Sequence, residues 1–145
     1  MHASSVAISY FRKMFPSWHI SAIEATYLSG GLVVLWDPSW IMAKTYRCLA
    51  WILISAKMRG HNFPINILNI YAPYKNRMLF WENILDSEML DVENLLIARD
   101  LKLTLNMDEI WGSNKKKDPL AERIKNELLK RNYVDILPPW MISTW

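Results

Sequence analysis

The sequence predicts a mixed α/β chain, and three observations carry that reading. Asn66 to Ala72 and Leu95 to Ala98 are short apolar runs separated by one helix-like segment, which reads as strand, helix, strand. Upstream, β-branched and aromatic residues are concentrated in runs too short for helices. Downstream, Leu120, Ile124 and Leu128 fall four apart, the spacing of one helical face.

The elements follow in order. Ser5 to Phe15 is expected to form an amphipathic surface helix stopped by Pro16. Trp18 to Glu24 reads as a strand. Gly30-Gly31 introduces a continuous apolar strand, Leu32 to Trp36, ended by Asp37-Pro38. Ile41 to Arg47 and Leu49 to Lys57 are two further strands. Arg59-Gly60-His61-Asn62 is a turn into Phe63 to Tyr71, so this region is expected to be an antiparallel meander. Pro73 closes the last of these strands, because proline cannot continue a ladder.

Asn76 stands where it can cap a helix whose stripe is Phe80, Trp81, Ile84 and Leu85. Leu95 to Ala98 then delivers Asp100 at a strand end, where rigid scaffolds commonly present chemistry. The Lys115-Lys116-Lys117 run reads as a solvated loop. The last helix starts at Asp118-Pro119, with proline where no N–H donor is needed.

The 145 residues suit one domain with a sound core. The longest apolar run, about Leu49 to Ile54, is far below the ~18 residues of a membrane span. The first residues lack the order of a secretory signal. Cys48 is the single cysteine, which rules out an internal disulfide and a thiolate metal cluster. An intracellular setting, nucleus or cytoplasm, is therefore expected. The net charge of +3 is mildly basic and selects no partner by itself. Four glycines are few for a sheet-rich chain whose tight connections need positive φ, which reads as turns that have lost their natural residue.

Several segments taken together carry a resemblance: SGGLVVLWDP (29–38), NIYAP with Arg77 and the Phe80-Trp81 pair, ARDLKLTLNMDEIWG (98–112), DPL (118–120), VDILPPW (134–140) and STW (143–145). In this order they resemble the endonuclease/exonuclease/phosphatase superfamily, in particular the endonuclease domain of plant non-LTR (LINE-type) retrotransposons. The resemblance implies a four-layer β-sandwich flanked by helices, and magnesium-dependent cleavage of DNA phosphodiesters. Asp100 matches the aspartate of the family's Asp-x-Asn pair, which orients and activates the attacking water. Tyr71 matches the tyrosine of its Tyr-x-Pro, which faces the scissile phosphate. Arg77 falls where relatives carry a DNA-contacting arginine, and Asn69 is given a supporting place in substrate binding.

The departures are chemical. Lys102 replaces the asparagine of the pair, and an ammonium donates but cannot accept. It would also repel a divalent cation. Arg99 replaces the glycine before the aspartate. The family's metal-binding glutamate and first-strand asparagine are expected upstream of residue 1, and its Ser-Asp-His segment downstream of Trp145. Neither Glu24 nor His2, His19 or His61 stands where it could substitute. The expectation is thus one partial domain over 1–145, catalytically inactive, with no metal site of its own and no magnesium retained.

Missing strands are also expected to leave open sheet edges that promote self-association. Two alternatives stand beside this reading. One is an active nuclease completed by another chain. The other is a non-catalytic nucleic-acid-binding module using Lys44, Arg47, Trp51, Lys57 and Arg59, against the expectation that strand alternation puts the tryptophans in the core.

Overall fold

The computed structural model describes residues 3–24, 31–103, 105, 116 and 118–136. The described residues form a mixed α/β fold with a two-stranded and a four-stranded sheet and three α-helices. Two compact units make it up, one of residues 1–72 with 92–100 and one of 73–91 with 101–145. Among the described residues, no helix is long and apolar enough to cross a membrane.

The first unit begins with helix α1 (Ala3–Met14), whose Val6, Tyr10 and Met14 are exposed. Strands β1 (His19–Ile23) and β2 (Leu32–Trp36) pair antiparallel as a separate hairpin. Asp37 ends it. Its Oδ1 accepts from the Ser39 backbone N–H (2.8 Å) and hydroxyl (2.6 Å). These bonds, the hydroxyl's first, and the charge of Arg59 hold the carboxyl below its usual pKa.

The larger sheet runs β3 (Ile41–Cys48), β4 (Trp51–Met58), β5 (Ile65–Tyr71) and β6 (Leu95–Asp100) in that spatial order. The first three form the expected meander, and β6 joins β5 in parallel. The hairpin lays one side over the sheet. Leu32 packs with Ile52, Ile54 and Ala56, and Ile23, Val34 and Ile67 close around them. β5 is the most enclosed strand. Leu68 and Ile70 are buried on one side, while Ile67 and Tyr71 are half-buried on the other. Buried Asn66 is satisfied, donating from Nδ2 to the Glu93 carbonyl at 2.7 Å. β3 and β6 are the sheet's edges among the described residues.

The second unit contains helix α2 (Arg77–Leu85), a 3₁₀ turn (Glu88–Asp91) and helix α3 (Pro119–Lys130). The predicted stripes are the buried ones: Trp81, Ile84 and Leu85 on α2; Leu120, Ile124 and Leu128 on α3. Arg123 pairs with Glu82 at 2.9 Å. Arg131 donates to the Leu85 carbonyl, an orphan acceptor of the α2 C-terminus, at 2.9 Å. Tyr133 donates its hydroxyl to the Leu90 carbonyl at 2.8 Å, and burial pushes that phenol up.

Four details correct the sequence reading. Leu49 and Ala50 form a two-residue hairpin turn, so β4 starts at Trp51, not Leu49. Phe63 is exposed and β5 begins after Pro64, at Ile65. Asn76 precedes α2 in the left-handed region (φ 55°) and makes no side-chain cap bond. A capping side chain needs an extended backbone to reach the first-turn N–H groups. The tryptophans are mostly not core. Of the five described, only Trp81 is buried (2 % exposed); Trp36 and Trp51 are half-buried, and Trp18 and Trp40 are exposed.

Among the described residues, positive φ falls mostly on residues other than glycine. Asn76, Asn94, Lys102 and Asn132 adopt positive φ alongside Gly60. Asparagine tolerates that region through its short polar side chain. Lysine does not.

Candidate functional site

The sequence-derived candidates divide between the two units. Asn69, Tyr71 and Asp100 belong to the first, and Arg77 and Lys102 to the second.

In the first unit the parallel register sets Asn69 opposite Ala98 and Tyr71 opposite Asp100, at the C-terminal ends of β5 and β6. Paired residues of adjacent strands share a face, so the phenol and the carboxylate issue side by side. The backbone there is held from both directions. Tyr71 N–H donates to the Ala50 carbonyl and Ala72 N–H to the Asp100 carbonyl, each at 2.9 Å. The Tyr71 ring packs against the apolar cluster beneath the hairpin. A half-buried Asp100 on a rigid strand end can accept a proton or orient a water. Tyr71 and Asp100 each have an interaction partner within the chain, so neither is vacant.

In the second unit Arg77 is the first residue of α2 and holds two groups together. Its Nη1 donates to the Lys102 carbonyl at 3.1 Å, and its Nη2 pairs with Asp118 Oδ2 at 2.7 Å. Asp118 also accepts from the Leu120 N–H at 3.1 Å, capping α3. The guanidinium sequence reasoning assigned to substrate is thus engaged within the unit. Lys102 Nζ lies 5.0 Å from the centre of the Tyr74 ring, a cation–π contact. Its backbone is left-handed (φ 53°) at the position where the resembled family has asparagine. The Arg99 side chain, Lys115 and Lys117 lie outside the described residues.

That backbone makes a prediction. Lys102→Asn and Lys102→Ala both remove the contact with Tyr74, but only asparagine visits the left-handed region readily. The Asn variant is expected to be about 1 kcal/mol more stable than the Ala variant in urea denaturation. Equal stabilities would mean that the turn relaxes to negative φ.

Asp100 is the only carboxylate that the register places at the sheet end, and no group of three or more His, Cys, Asp or Glu side chains occurs among the described residues. Magnesium held by one or two carboxylates relies on substrate phosphates for the rest.

Sequence reasoning missed two features. The tie from Arg77 to Asp118 joins distant segments and leaves no local signal. The other was visible: from Pro38 to Trp81 the chain has six lysines and arginines and not one Asp or Glu. No family model matches the chain, and no curated protein matches it.

Proposed function

We propose that the chain is a degenerate endonuclease/exonuclease/phosphatase-type domain of the kind carried by LINE-type retrotransposons, and that it does not itself cleave DNA. The observation that supports the family reading is the placement of Asp100 beside Tyr71 at the ends of two parallel strands joined through one α-helix and a 3₁₀ turn. A carboxylate and a phenol on one rigid edge suit a phosphodiester with its attacking water.

Inactivity rests on the donor chemistry. Lys102 brings an ammonium where the parent chemistry uses an amide that both donates and accepts. Replacing a member of a cooperative site leaves little rate beyond binding effects.

Nicking of supercoiled plasmid by the purified chain tests this, with magnesium or manganese against EDTA and with Asp100→Ala alongside. The expected result is no conversion above the EDTA background for either protein. Metal-dependent nicking that Asp100→Ala abolishes would overturn the inactive reading.

A further inference from the structure

The positive charge of this protein has an address. The first unit carries seven lysines and arginines against four carboxylates, while the second carries ten against ten, so the net +3 belongs to the first alone. Within it, β3, β4 and β5 contain no acidic residue. We propose that the outward face of the β3–β4 hairpin binds single-stranded nucleic acid, with Lys44 and Lys57 on phosphates and Tyr46 and Trp51 against bases.

The register assembles that face. Met42 stands opposite Lys57, Lys44 opposite Ser55, Tyr46 opposite Leu53 and Cys48 opposite Trp51. Arg59 N–H donates to the Trp40 carbonyl at 2.9 Å, which extends the ladder by one row. Lys44, Lys57 and Arg59 are exposed, as are Tyr46 (55 %) and Trp40 (65 %). Trp51 is half-buried and lies diagonally across from Tyr46, within the reach of large rings. Rows on one face repeat every ~6.8 Å, so Lys57 and Lys44 occupy neighbouring rows, followed by Tyr46 and then Trp51. Lys44 and Lys57 make no ion pair with any described residue. Arg59 is less free, since Asp37 feels its charge. Arg47 points to the other face, where its Nη1 donates to the Ala22 carbonyl at 3.0 Å.

Unpaired cations with exposed rings fit a phosphate backbone whose bases are open for stacking. A duplex fits less well. The hairpin is backed by β1 and β2 and so cannot enter a major groove as a free ribbon. This surface is separate from the Asp100 edge, and binding there needs no metal and no cleavage.

The test uses the full chain and a labelled single-stranded oligonucleotide in EDTA across a salt series. Binding is expected to weaken with salt, and the Lys44→Ala/Lys57→Ala double variant to lower the log–log slope by about 1.4. Tyr46→Ala is expected to weaken binding about fivefold or more at unchanged slope. Arg12→Ala/Lys13→Ala, the same loss of two positive charges on α1, should leave both unaltered. Absence of binding at low salt would overturn the proposal. So would an unchanged slope in the double variant, or equal competition by duplex DNA or polyphosphate.

Discussion

Ile52→Ala is expected to lower the free energy of unfolding by about 2–5 kcal/mol, measured by urea denaturation. Ile52 is fully buried (0 % exposed) in the layer where the β1–β2 hairpin meets the sheet. Removing its outer carbons forfeits their transfer energy, and the cavity left between two sheets can close only partly. Ile52→Val, which deletes one methyl group, should cost only about 0.5–1.5 kcal/mol. A loss below 1 kcal/mol for the alanine variant would mean that the hairpin is not seated on β4.

Asp118→Ala should be the next most damaging change, at about 1–3 kcal/mol. The carboxylate does two jobs, capping α3 through Leu120 N–H and pairing with Arg77. The cap contributes about 1 kcal/mol. The pair is worth less than its 2.7 Å separation suggests, because the Arg77 side chain is 37 % exposed and solvent screens it. Asp118→Asn separates the two, since asparagine caps as well as aspartate but carries no charge. It should cost less than half as much as alanine. Equal losses would place the whole effect in the ion pair.

Strand composition made most of the architecture legible. Leu32 to Trp36 has the boundaries read from its uninterrupted apolar run. The α3 stripe is fixed by its four-residue spacing, and its start by Asp118-Pro119. What failed was local geometry that composition does not encode. Asn76 is a good capping residue by type, but its left-handed backbone turns the side chain away from that task. Trp51 and Trp40 carry large apolar rings, but β3 and the outward side of its partner have little over them. Nor could the sequence reveal that, among the described residues, β1 and β2 pair only with each other, because pairing is settled by contacts distant in sequence.

The candidate site was legible to a similar depth. The strand–helix–strand pattern already implied that Asp100 would emerge near Tyr71, and the parallel register sets them opposite. The surroundings of Arg77 were not foreseeable. Its position before an apolar stripe says only that a cation begins a helix. That it clasps Asp118 and the Lys102 carbonyl depends on how the chain returns to α2.

The order of the four-stranded sheet also sets a timetable. β3 and β4 are joined by two residues, and β4 and β5 by six. Such short loops close cheaply, and the meander can zip from its own turns. β6 reaches β5 only across residues 72–94, a span of 23 that includes α2 and the 3₁₀ turn. Closing that longer loop must precede any reward from the parallel ladder. By this argument the pairing of Asp100 with Tyr71 follows the meander rather than forming with it. An unfinished chain, or one whose crossover is disturbed, can carry a well-formed meander and still have no such pair.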